Sequence, residues 1–106
     1  MTKIYNKLVR DRIPEIIEAS GNKCKTKILS DREYLEMIDM KLDEELAEYH
    51  KDQNIEELAD LLELIYAAAV ARGYSIEELE ATRTDKAQKR GSFDKRIFLI
   101  ETIENN

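Results

Sequence analysis

Two short runs decide the fold: Lys41-Leu42-Asp43-Glu44-Glu45-Leu46-Ala47-Glu48 and, eight residues on, Glu57-Leu58-Ala59-Asp60-Leu61-Leu62. On a wheel of about 100° per residue, Leu35, Ile38, Leu42, Leu46 and Tyr49 line one apolar face of a helix. Glu45 falls inside the edge of that face and Glu48 one step further round, with Lys41 and Glu44 flanking the pair. Glu45 and Glu48 are three apart, which places their Cβ atoms about 5–6 Å from each other.

The second run begins a helix that is apolar almost all round from residue 58 to residue 71, the pattern of a buried helix. Asp60 lies within it, three residues after Glu57 and on the same side. A buried carboxylate without a partner costs several kcal/mol or shifts its pKa strongly, so Asp60 calls for a Lys, an Arg or a metal ion. The two helices meet at a short joint, Asp52 and Gln53, so they are expected to lie antiparallel. That geometry turns Glu45 and Glu48 toward Glu57 and Asp60. Four carboxylates repel unless a cation joins them, and Mg²⁺ takes oxygen ligands while keeping positions open for water and phosphate. The plainer reading is a solvated acidic face, common for one such pair and rarer for two pairs at facing ends of a hairpin.

Further helices follow on either side. Helix 1 starts near Asp11 and Pro14, with Asp11 as its cap, and stops at Gly21. Residues 22–29 are basic and irregular, with a short extended piece at 25–29. Helix 2 begins after Ser30, in a capping-box pattern with Glu33, and runs to about Lys51. Helix 3 begins after Asn54 and ends at Gly73. Helix 4 begins after Ser75, boxed with Glu78, and reaches about Lys89. The expected fold class is all-α, an antiparallel bundle of four to five helices in one domain spanning 1–106. A domain of this size can bury a real core but exposes much of its surface, and a dimer interface would help.

Charge is unevenly spread. Residues 1–30 hold seven basic and three acidic side chains, residues 31–64 three and thirteen, and residues 81–96 six and two. An acidic middle between basic flanks suits a cation site that meets a phosphorylated ligand. The net charge of −6 argues against a general nucleic-acid binder. Cys24 is the one cysteine, has no nearby His, and reads as a plain thiol in a reducing compartment. No signal-peptide pattern is present, and Asp60 and Glu63 interrupt the longest apolar stretch, which is too short for a bilayer. The expectation is a cytoplasmic protein with no membrane partner. His50 does not stand three residues after a glutamate, which excludes a Glu-x-x-His di-iron site.

The string Glu45-x-x-Glu48, eight residues, Glu57-x-x-Asp60 resembles the signature of the all-α nucleotide pyrophosphatases, which include the MazG proteins, the dimeric dUTPases and phosphoribosyl-ATP pyrophosphohydrolase. Lys41-x-x-Glu44 extends the match, although the eight-residue gap is shorter than in many MazG proteins. The amino-terminal string Tyr5-Asn6-Lys7-Leu8-Val9-Arg10-Asp11-Arg12-Ile13-Pro14 looks like the opening of a subfamily described as house-cleaning noncanonical NTP pyrophosphatases. The segment Lys86-Ala87-x-Lys89-Arg90-Gly91-x-Phe93-x-Lys95-Arg96 looks like its close.

The resemblance implies Mg²⁺-dependent (or Mn²⁺-dependent) hydrolysis of a nucleoside triphosphate to monophosphate and pyrophosphate, in a homodimer or higher homo-oligomer. It implies metal ligation by Glu45, Glu48, Glu57 and Asp60, and activation of water by Glu44 or Glu48. It also implies phosphate or substrate binding by Lys41, Lys86, Lys89 and Arg90, with Lys7 and Arg10 from the amino end. For Lys86, Lys89 and Arg90 the alternative is ordinary favourable charge at a helix C-terminus. Tyr49, Tyr66, Tyr74 and Phe93 are aromatic candidates for stacking on a base, with Tyr49 and Tyr66 at core spacing. Two rival functions stay open: phosphoribosyl-ATP pyrophosphohydrolase, and a non-catalytic helical dimer that binds a nucleotide or a partner.

Overall fold

A computed structural model describes residues 1–105. It contains four helices: α1 (Ile13–Ala19), α2 (Asp31–Asp52), α3 (Ile55–Ala71) and α4 (Ile76–Arg90), and no strand among the described residues. The all-α expectation is met. Residues 25–29, where a short extended piece was expected, belong to no helix or strand.

The helix starts follow from local chemistry. Ser30 Oγ accepts from the Glu33 amide while Glu33 Oε1 accepts from the Ser30 amide, closing the expected capping box of α2. Ser75 and Glu78 close the same box on α4. Asn54 Oδ1 accepts from the Glu57 amide at 3.0 Å and starts α3. That bond also fixes the helical register of Glu57, one of the carboxylates of interest.

α1 departs from expectation. Its N-cap is Arg12, in an α-like conformation (φ −92°, ψ 0°), and no side chain caps it. A capping side chain needs an extended backbone at the cap, so Asp11 does not cap α1. The Ile13 amide instead donates to Arg10 O at 3.1 Å, so that a backbone turn leads into the helix.

Gln53 in the left-handed region (φ 52°) ends α2, and Gln53 and Asn54 alone separate α2 from α3. So short a joint forces the two helices antiparallel and side by side. α2 packs on α3, and α3 packs on α4. At the far end of α3, Gly73 (φ 92°) reverses the chain, and the Tyr74 amide donates to Ala69 O at 2.9 Å.

Ile38, on the expected apolar face of α2, is 1% exposed and is the one fully buried hydrophobic residue described. Leu35, Leu42 and Tyr49 on the same face are half-buried, whereas Leu46 is exposed. The reading of α3 as a buried helix is corrected: no residue of α3 is fully buried in the single chain. Ile55, Leu58, Leu62 and Ile65, spaced by three and four, are each more than two-fifths exposed. One chain provides α2 and α4 as neighbours, too few to enclose a helix that is apolar all round. The radius of gyration is 19.1 Å, where a compact domain of this length has about 13 Å.

Candidate metal centre

The hairpin assembles the acidic residues. Glu45, Glu48 and Asp52 come from the last turns of α2, and Glu57 and Asp60 from the first turns of α3. One carboxylate oxygen from each of Glu45, Glu57 and Asp60 lies within 4.8 Å of the others, and a second set, Glu48, Asp52 and Glu57, meets the same limit. Glu57 belongs to both. All four residues expected as ligands thus take part, divided between two adjoining groups.

Asp52 was missed in the sequence. Its signal was present: Asp52 is four residues after Glu48 and so shares its helix face. The reading of residues 52 and 53 as a joint hid it, since α2 extends through Asp52 before the chain turns.

Two cations enter the cluster from the chain itself. Arg10 Nη2 lies 2.6 Å from Asp60 Oδ1, and Arg10 Nη1 lies 3.9 Å from Glu63 Oε1. Lys41 Nζ lies 3.6 Å from Glu45 Oε1 and 3.9 Å from Glu44 Oε1. Lys41 and Glu45 are the more enclosed pair, with side chains 16% and 14% exposed, against 54% and 38% for Arg10 and Asp60. Asp60 therefore lies half-exposed with an arginine partner, rather than deep in an apolar helix. Glu48, Asp52 and Glu57 make no ion pair among the described residues. The Glu57 carboxyl is held above its ordinary value of 4.5, first by desolvation and then by Asp60, Glu45, Asp52 and Glu48.

The remaining basic candidates make no ion pair with this group among the described residues. Lys89 pairs with Asp85 on its own helix at 3.1 Å, and no ion pair links Lys86, Lys89 or Arg90 to the acidic set among the described residues. Lys7 stands over the Tyr5 ring, 5.7 Å from its centroid. Tyr49 and Tyr66 are half-buried, as their core spacing implied, while Tyr74 and Phe93 are exposed. His50 is in neither carboxylate group and lies beside the Tyr49 ring. Cys24 is half-buried near Pro14 O and Glu18, and partial burial with the Glu18 charge raises its thiol pKa.

The donors are all carboxylate oxygens at the rim of a helical hairpin. That set suits a hard divalent cation with positions left for water and phosphate, and does not suit a closed sulfur or imidazole site. Among the described residues no group of His or Cys side chains forms a candidate metal site.

No family model matches the chain, and no solved structure matches it. An uncharacterized protein of Mycolicibacterium smegmatis is 61% identical over 41 residues, which is 39% of this chain and 42% of that protein. The chain thus matches about two-fifths of that relative's length. No helix among the described residues is long and apolar enough to cross a membrane.

Proposed function

We propose that this chain is a Mg²⁺-dependent nucleoside triphosphate pyrophosphohydrolase of the MazG-like all-α type, acting on noncanonical nucleotides. The observation that carries the proposal is the convergence of Glu45, Glu57 and Asp60 within 4.8 Å across the α2–α3 hairpin. These residues, with Glu48 and Asp52 alongside, would hold the cation. When bound, a divalent cation screens phosphate charge and lowers the pKa of a water molecule.

The chain's own groups supply the rest. Water adds at one phosphorus of the α–β anhydride, the bridging P–O bond breaks, and monophosphate and pyrophosphate leave. Glu48 has no basic partner and adjoins Glu57, so it is placed to orient that water and accept its proton. Glu44 belongs to neither carboxylate group and lies toward the Lys41 side. Lys41 and Arg10, which pair with Glu45 and Asp60, are the cations of the chain that would meet a phosphate at the cluster. Lys86, Lys89 and Arg90, in the last turns of α4, would reach the substrate from a second copy of the chain.

The working unit in this proposal is a homodimer. Burying one isoleucine contributes about 1.5–3 kcal/mol, whereas ordering each residue costs about 1–2 kcal/mol of backbone entropy. The row Ile55, Leu58, Leu62 and Ile65 repeats with the spacing of a helix-packing seam, and a second copy is its proposed partner. Sedimentation should give a dimer for the wild type, and a folded wild-type monomer at micromolar concentration would remove this part. Cytoplasmic residence belongs to the same proposal and rests on the single cysteine.

The reaction is tested by pyrophosphate release from a panel of standard and modified nucleoside triphosphates, with Mg²⁺ and with chelator. A rival reading has one specific observation in its favour. Arg10 and Lys41 already pair with Asp60 and Glu45, as they would in a purely structural ionic network. In that case Mg²⁺ would neither bind nor support release.

A further inference from the structure

Beside the carboxylate cluster is a hollow of about 240 Å³, walled on one side by Asn6, Lys7 and Leu8 of the amino-terminal segment and on the other by Met37, Met40, Lys41 and Glu44 of α2. It is smaller than the roughly 300–1,000 Å³ of sites for drug-sized ligands, and of the scale of one planar ring. Met37, Lys41 and Glu45 are successive i, i+4 positions, so hollow and cluster share one stripe of α2, about 6 Å apart per step. Lys41 belongs to both, lining the hollow and lying 3.6 Å from Glu45.

We propose that this hollow takes the base of the nucleotide whose phosphates lie at the carboxylate cluster. This rests on the hydrolase reading for the placement of the phosphates, although the hollow itself is tested without hydrolysis. Leu8, Met37 and Met40 give it apolar walls, and thioethers make favourable contacts with aromatic rings. Asn6 brings both a donor and an acceptor, and the Glu44 carboxylate accepts from N–H groups on the edge of a base. A base that offers N–H donors is the ligand that fits this wall. Asn6 holds a left-handed conformation (φ 46°), which asparagine tolerates better than most residues. The Arg10–Asp60 pair ties the segment that carries Asn6 and Leu8 to α3. The base wall is thereby anchored to a carboxylate of the cluster itself.

The chain has three methionines, two in the hollow and one at the amino terminus, so methyl-labelled methionine gives three signals with Met1 as an internal reference. Free nucleosides, added with chelator present, are expected to shift Met37 and Met40 together and leave Met1 in place, with inorganic tripolyphosphate moving neither. Asn6→Asp, which keeps the left-handed tolerance, is expected to reorder the nucleosides. The proposal is overturned if no nucleoside moves Met37 and Met40, even in a protein that releases pyrophosphate. It is equally overturned if tripolyphosphate moves them as much as nucleosides do, or if they respond to protein dilution alone because a second copy covers the hollow. Nucleoside-induced shifts in a protein that hydrolyses no triphosphate would uphold the base site and remove the hydrolase reading.

Discussion

The Arg10 guanidinium meets the Asp60 carboxylate at 2.6 Å across fifty positions of sequence, and so joins the irregular amino-terminal segment to the acidic end of the helical hairpin. Both side chains are substantially exposed, and ion pairs of that kind contribute little, roughly 0–1 kcal/mol. The pair matters more for occupancy: a cation already touches one of the carboxylates proposed to hold metal.

Removing that cation should therefore affect metal more than stability. Arg10→Gln is expected to lower the melting temperature only slightly, by less than about 1 kcal/mol of stability. It should shift the Mg²⁺ concentration for half-maximal thermal stabilisation downward. Calorimetric titration with Mg²⁺ or Mn²⁺ measures this directly. Weaker metal binding in the variant would mean that Arg10 positions Asp60 rather than competing for it.

Glu57 sets the pH dependence. Its folded pKa lies above the ordinary 4.5, for desolvation first and neighbouring carboxylates second. The folded state thus binds the proton more tightly than the unfolded chain. Its contribution is fully present below pH 4.5 and is lost as pH rises through the folded pKa. In chelator, Glu57→Gln should raise the melting temperature relative to wild type at neutral pH, with the difference shrinking toward pH 4. With Mg²⁺ the order should reverse, because the variant lacks a shared ligand. Melting curves across pH with and without metal check both signs, and a Glu57→Gln protein that still gains stability from Mg²⁺ would contradict the assignment.

The caps give a local test. Ser30→Ala and Ser75→Ala each remove a side-chain acceptor at a helix start and are expected to cost about 1 kcal/mol. Asp11→Ala should be close to neutral, because no side chain caps α1. Chemical denaturation of the three variants resolves the difference. A large loss for Asp11→Ala would show that the residue has a structural role outside the helix cap.

What the sequence made legible was mainly local. Ser30-x-x-Glu33 and Ser75-x-x-Glu78 announced two helix starts because a capping box is complete within four residues. The facing of Glu45 with Glu57 and Asp60 was legible because a joint of two residues leaves two helices only one way to lie. The partner of Asp60 was narrowed to Lys, Arg or metal, but Arg10 could not be singled out, since nothing local links positions fifty apart. Lys41 reads as a substrate cation in the string, although its i,i+4 spacing to Glu45 already marked the pair that it forms there. The burial of α3 was misjudged for a related reason. An apolar circumference states that a helix must be covered, not that its own chain covers it.

The most direct test of the central claim compares wild type with the Glu45→Gln/Asp60→Asn double variant for pyrophosphate release from the best triphosphate of the panel. Both substitutions keep size and shape while removing charge at two residues of the cluster. The account predicts Mg²⁺-dependent release by the wild type, abolished by chelator and lost by at least about 100-fold in a folded double variant, equivalent to about 2.7 kcal/mol of transition-state stabilisation. Release that persists in the double variant, or a folded wild type that releases pyrophosphate from no triphosphate with Mg²⁺ present, would contradict it.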